Sequence, residues 1–304
     1  MEDLWNGEIM QNHIESNSIL YQIHIMWYES QMINETLDSL KKALDYSQKS
    51  VNVKVCLNSQ TYIEDPIEGN PKDMFDIFLD HPVLENAEIV RKTNDDTFYN
   101  VGDWRRDIYN ENGYTVWGES DCLVPWQYFA MLESLEINHP HIFTLSSRKC
   151  WDNTWTVVEH EKVRNLPRTG WDKNVEEPLN HNDRITLEEL ENKLNDSEVA
   201  NIVKLPDLKI DGAMVALSPG LPRPFISSKQ HFFSEDTSAE YIFRWNRIPQ
   251  YHCTNIAKGH NYHHPLKRTN TDDTRKGNKY KKYSTESKSE MVKFLNEKKK
   301  EIYG

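Results

Sequence analysis

No run of 18 apolar residues occurs anywhere in the 304-residue chain, so the sequence offers no transmembrane helix. Cysteine is scarce. Cys56, Cys122, Cys150 and Cys253 have no CxxC and no close pairing, which argues against a disulfide framework and for a reducing cytoplasm, with the thiols as small core residues. Eleven glycines and 13 prolines are too few for a collagen-like or mucin-like chain. The first residues, MEDLWNGEIMQNHIES, are acidic and polar where a signal peptide would be basic and then apolar. These absences leave a cytoplasmic globular protein as the expectation.

What is present is enough apolar material for a core, 37% of residues, in one large domain or two small ones. Charge is unevenly placed. From Lys258 to Gly304 there are 13 Lys and Arg against 6 Asp and Glu, a net of +7, whereas residues 1–257 hold 23 against 42, a net of −19. The basic end interleaves tyrosine with lysine. It reads either as an electrostatic handle for an anionic partner such as nucleic acid, or as a solvated tail that balances an acidic body.

Periodicity gives the organisation. Residues 21–27 read as a first strand, broken by Tyr28-Glu29-Ser30. Ile33, Leu37, Leu40 and Leu44 step at helical spacing and leave Glu35, Asp38, Lys41 and Lys42 outside. Val51 to Leu57 alternates as a second strand. Asn70-Pro71 opens a short helix through Met74, Phe75 and Phe78, and residues 87–90 form a third strand. A helix between Gly102 and Gly113, a strand at 114–117 and a helix over 126–135 follow. Residues 141–163 look like antiparallel strands, and Thr186 to Glu189 is a capping box for a polar helix. Alternating strands and helices predict an α/β domain with a mainly parallel sheet.

Three groups of residues have chemical potential. Glu119 and Asp121 stand at i and i+2 just after a buried strand, where an extended segment turns both carboxylates to one face and lets them share a divalent cation. Ser234-Glu235-Asp236 offers either a general base or the N-cap of a helix starting near Thr237. His252, His260, His263 and His264 crowd together near Cys253, without a zinc-framework spacing; one histidine working with a carboxylate site is the better reading than a separate zinc cluster.

In this order and spacing, residues 20–130 resemble the nucleotide-sugar-binding half of family 2 glycosyltransferases with the GT-A fold. The stretch from Lys92-Thr93-Asn94 through Gly102 to Arg105-Arg106 is similar to that family's segment before its acidic strand, and Val116 to Pro125 falls on its Asp-x-Asp segment. Glu235-Asp236 matches the family's Glu-Asp motif. Two departures stand out: Glu119 replaces the first Asp, and Asn58-Ser59-Gln60 lies where the family has a base-reading Asp.

The resemblance implies a Rossmann-like, GT-A-like α/β fold with a mainly parallel sheet flanked by helices, a small antiparallel part and a basic C-terminal extension. Residues 17–268 would form the transferase domain, with a donor half over about 20–130 and an acceptor half over about 131–268; residues 269–304 would be a partly helical or disordered tail. It implies an inverting transferase that uses a nucleotide-sugar donor. Asp121 and Glu119 would hold Mn²⁺ or Mg²⁺, joined by His260 or His263; Asp236, with Glu235, would serve as base. Arg105, Arg106 and Asn58 would contact the donor. The acceptor hydroxyl would belong to a glycan or to a hydroxylated base in modified viral DNA, reached through the basic tail, with Trp151, Trp155 or Trp171 as stacking platforms. Two rival expectations are a metal-dependent hydrolase and a non-catalytic nucleic-acid-binding protein on the same scaffold.

Overall fold

A computed structural model describes residues 18–25, 33–58, 81–92, 101–149, 157–158, 184–185, 200–210, 212–231, 234–260 and 278–304. The elements relevant to the site are β1 (Ile19–Ile25), α1 (Ile33–Tyr46), β2 (Val51–Asn58), β3 (Glu88–Lys92), α2 (Val101–Asp107), β4 (Tyr114–Glu119), β5 (Cys122–Leu123) and α3 (Tyr128–Glu133). Then come β6 (Ile142–Lys149), β7 (Val157–Val158), β8 (Arg184–Ile185), β9 (Ile202–Lys204), β10 (Val215–Leu217), α4 (Glu235–Trp245), β11 (Gln250–His260) and α5 (Asn278–Tyr303). The helix at 71–78, the capping box at 186 and its helix, His263, His264, Trp151, Trp155 and Trp171 lie outside the described residues.

Nine strands build one sheet in the order β3-β2-β1-β4-β10-β6-β11-β5, with β9 also on β11. Strands β1, β2, β3, β4, β6 and β11 run one way, and only β5, β9 and β10 oppose them. The fold is therefore α/β with a mainly parallel sheet, as the sequence pattern predicts. Strands from both halves of the chain share it, because β10 inserts beside β4 and carries β6 and β11 with it.

Side-chain alternation divides the core into two faces. Tyr114 and Val116 of β4, Ala216 of β10 and Phe143 of β6 join Ile33, Leu37 and Leu40 of α1 and Phe129 of α3. Trp117, Val215, Leu217 and Ile142 point the other way, to Ile242 and Phe243 of α4 and Leu295 of α5. Helices on both faces of a parallel sheet bury both sides of its strands.

Three expectations change. Ile142–Lys149 is not part of an antiparallel run: it is an inner strand, parallel to β11 and antiparallel to β10, and only Val157–Val158 with Arg184–Ile185 forms a separate antiparallel pair. A strand buried on both faces, as residues 142–147 are, carries no signal of its neighbours' direction. The helix expected to reach Gly113 stops at Asp107. Beyond it, the Asn110 side chain accepts from the Asn112 N–H at 3.1 Å while the Asn110 N–H donates to Thr115 Oγ1 at 2.7 Å, local bonds that compete with helix continuation.

The third is the reading of the basic extension as a solvated tail. From Asn278 the extension is one helix, and its face from Met291 to Leu295 packs into the core beside α4, with Leu295 buried. The Tyr303 hydroxyl also donates to the Trp245 carbonyl at 3.4 Å. Its exposed lysines alternate with Glu286, Glu297 and Glu301, so much of the basic charge is offset along the helix itself. Among the described residues no helix is long and apolar enough to cross a membrane.

Two outcomes test this arrangement. Leu295→Ala should destabilise the protein by about 2–4 kcal/mol in urea denaturation, because it removes a packed side chain from the core; a solvated tail would give almost no change. His141 is held neutral, its Nδ1–H donating to the His139 carbonyl at 2.8 Å and its Nε2 accepting from the Tyr114 hydroxyl at 2.8 Å. Burial pushes its pKa down from 6.5 to about 4. The unfolded chain therefore takes up a proton between these values that the native state refuses, so stability is full above pH 6.5 and falls as pH drops towards 4. Across that window the wild type should lose on the order of 3 kcal/mol more than His141→Asn, read from denaturation midpoints at each pH.

Candidate functional site

The parallel strands end at one edge, and the chain leaving β4 there carries Glu119, Ser120 and Asp121. Helix α1 fixes this turn with two buried polar side chains. Thr36 Oγ1 donates to the Ser120 carbonyl at 2.6 Å, Ser39 Oγ accepts from the Val124 N–H at 3.0 Å, and the Ser39 hydroxyl donates in turn to the Thr36 carbonyl at 2.7 Å. The apolar spacing of α1 reveals its core stripe but gives no sign that Thr36 and Ser39, on the same face, hold the acidic turn.

His260 reaches the turn from the far side of the sheet. Strand β11 changes register between Cys253 and Ala257, and a bulge of this kind bends a strand. Its last residues then pair with β5, His260 opposite Cys122 and Gly259 opposite Leu123. His260 Nε2 comes to 3.3 Å from Asp121 Oδ2 and 3.9 Å from Glu119 Oε2. Among the described residues, Glu119, Asp121 and His260 form the one set of three such side chains placed to share a cation, their ligand atoms within 4.8 Å of one another. Two carboxylates and an imidazole on a mostly buried site suit a divalent cation.

Arg105 of α2 joins this set to the Glu-Asp segment. Its buried guanidinium donates from Nη1 to Glu235 Oε1 at 2.6 Å, and from Nη2 to Glu119 Oε1 and the Gly212 carbonyl, both at 2.7 Å. It also lies over the Trp117 ring, 4.9 Å from the centroid. Burial opposes its charge, yet Glu235, Glu119 and Asp236 outweigh that cost and hold its pKa above the ordinary value. Gly212 sits at φ +82°, and a Cβ there would lie 3.1 Å from the Arg105 guanidinium, so both conformation and space call for glycine.

Glu235 and Asp236 occupy the first turn of α4, where the helix dipole favours negative charge. Ser234 takes the N-cap position in the left-handed region, at φ 60°, without a side-chain cap bond. Asp236 Oδ1 accepts from the Thr237 N–H at 2.6 Å instead. Glu235 is buried and tied to Arg105, whereas Asp236 is half-buried. Burial pushes Glu235 up to about 7 while Arg105 pulls the other way, and burial likewise raises Asp236 against the same guanidinium. Both a helix start and a chemically placed carboxylate are thus present in one turn.

The remaining expected residues are elsewhere. Arg106 faces away, donating to Asp103 Oδ1 at 2.8 Å and Asp107 Oδ1 at 2.7 Å. Asn58 closes β2 at the carboxyl edge, in register with Lys92. His252 does not join His260: its ring contacts Thr144 Oγ1 at 3.0 Å and Ser146 Oγ at 3.3 Å on β6. Two features had no sequence signal. Lys258, on the same face of β11 as His260, is buried and donates to the Ala213 carbonyl. His231 is oriented by the buried Asp103, whose carboxylate lies 2.8 Å from its Nδ1.

No protein-family model matches the chain, and no curated protein sequence matches it. Solved structures similar to it include residues 1–349 of S. aureus TarS, at TM-score 0.41 and 9% identity over 91% of this chain and 72% of that one. A mycobacterial protein aligns at TM-score 0.42 and 13% identity, over 83% and 69% of the two chains. GalNAc-T7, solved with UDP, GalNAc and Mn²⁺, aligns at 0.43 and 10%, over 83% and 45%. Identities this low assign no residue roles.

Thr36→Val should cost about 1–3 kcal/mol, because the Ser120 carbonyl loses its buried donor. The same variant should loosen the turn after β4, read as faster amide exchange over residues 119–124, since the Ser120 carbonyl is its anchor on α1.

Proposed function

We propose that the chain is a metal-dependent, inverting glycosyltransferase that moves a sugar from a nucleotide-sugar donor to an acceptor hydroxyl. One observation carries the reading: a cation-competent Glu119–Asp121–His260 set and the Glu235–Asp236 turn meet at the carboxyl edge of an α/β sheet, bridged by a single buried arginine. Ligands of such sheets bind at that edge. Four carboxylates against one guanidinium leave excess negative charge there, which a divalent cation offsets.

In this reading Asp121, His260 and Glu119 would hold Mn²⁺ or Mg²⁺. The bound ion would supply neutralisation of the charge that builds on the departing nucleoside diphosphate. Asp236 removes the proton of the acceptor hydroxyl as its oxygen bonds to the anomeric carbon and the bond from that carbon to the diphosphate breaks. A raised pKa suits Asp236 to take that proton. Glu235, buried and tied, holds the turn in place. Arg105 serves the protein's own carboxylates, and Arg106 is committed to Asp103 and Asp107, so in this reading neither arginine is assigned to the donor diphosphate. The acceptor is a glycan or a hydroxylated DNA base.

Thermal stability with a panel of nucleoside diphosphates and their sugars, with and without Mn²⁺, tests the donor site. A rise in midpoint should need both one nucleotide and the metal, and Asp121→Asn should abolish it. No shift with any member sinks the proposal. Asp236→Asn should retain that shift while losing about 10²–10⁴ in turnover. Duplex DNA retention that weakens as salt rises supports a DNA acceptor, and no retention at low salt excludes it.

A further inference from the structure

We infer that Arg105 is a positioning residue that couples cation binding at Glu119 to the seating of the Glu235–Asp236 turn. The inference rests on the metal-site reading above. Glu119 divides its two oxygens: Oε1 accepts from Arg105 at 2.7 Å, and Oε2 faces His260 at 3.9 Å. Glu235 takes the other arm of the same guanidinium at 2.6 Å. The Gly212 carbonyl and the Trp117 face hold the group from two further directions, so the fork cannot turn to favour one carboxylate alone.

The physical consequence is a shared charge. Arg105 has a side-chain exposure of 3%, so water does little to screen it, and its attraction is divided between Glu119 and Glu235. A cation on Glu119, Asp121 and His260 draws electron density from Glu119 and weakens its bond to Arg105. More of the guanidinium's charge then falls on Glu235, and the first turn of α4, which carries Asp236, is held more firmly. Linkage requires the reverse effect as well: with Glu235 charged, Arg105 presses less on Glu119, and the cation binds better. A lysine would not reproduce this, because a point charge lacks the planar fork that engages two carboxylates at once.

The test is a double-mutant cycle on Mn²⁺ affinity, measured by titration of the full chain with Mn²⁺ alone. Glu235→Gln touches none of the three cation ligands, yet it should weaken Mn²⁺ binding about 3- to 10-fold, a typical size for coupling between sites. In an Arg105→Gln background the same substitution should change affinity less than about 2-fold. An equal loss in both backgrounds means that Glu235 acts through space without Arg105, and overturns the inference; so does a Glu235→Gln affinity equal to wild type. Wild type that binds no Mn²⁺ sinks the metal site itself, which is a different result. Should Arg105→Gln fail to fold, amide exchange decides: Mn²⁺ should slow exchange over residues 235–240 in wild type but not in Glu235→Gln, and identical protection in both overturns the coupling.

Discussion

The buried guanidinium of Arg105 is the interaction on which the site depends. It brings together a carboxylate from the end of β4 and one from the first turn of α4, 116 residues apart in the chain, and it does so out of contact with water. Two carboxylates brought together repel each other, and the guanidinium between them gives each a hydrogen-bonded partner of opposite charge. Gly212 and Trp117 are shaped around that one group, the first by leaving out a side chain and the second by offering its ring face.

The scaffold solves a second problem, which is distance. His260 belongs to β11, the last strand in chain order, and Glu119 to β4, three places away across the sheet. A β-bulge in β11 and the short return strand β5 bring the two ends together, while Thr36 and Ser39 of α1 fix the turn between Glu119 and Val124. Each device is local and small. Their combined effect is to place a cation-competent set where the parallel strands end and where α4 presents its first turn.

Much of this was readable from residue order. Strands β1 to β4 and helices α1 and α3 fall where period 2 and period 3.6 place them, and the acidic pair and the Glu-Asp turn stood out as polar groups beside element ends, with His260 or His263 as the accompanying histidine. Less was readable of the direction of β6, since burial on both faces erases the alternation that reports a strand's setting. The C-terminal segment misleads because its lysines dominate its composition, while four side chains, Ser287, Met291, Phe294 and Leu295, decide that it packs.

Local order alone gives β1 to β4, α1, α3 and the start of α4, with the chemical types beside them, because periodicity and capping act over a few residues. Which of those groups meet was decided only by the tertiary structure. Arg105 and Arg106 are identical neighbours in sequence, yet about 100° of helical rotation sends one into the acidic core and the other to Asp103 and Asp107 on the opposite side. His252 and His260 lie on the same strand, β11, and only its far end reaches Asp121. Contacts between distant residues depend on sheet order, register and a bulge, and none of these leaves a mark within the few residues that a local pattern can span.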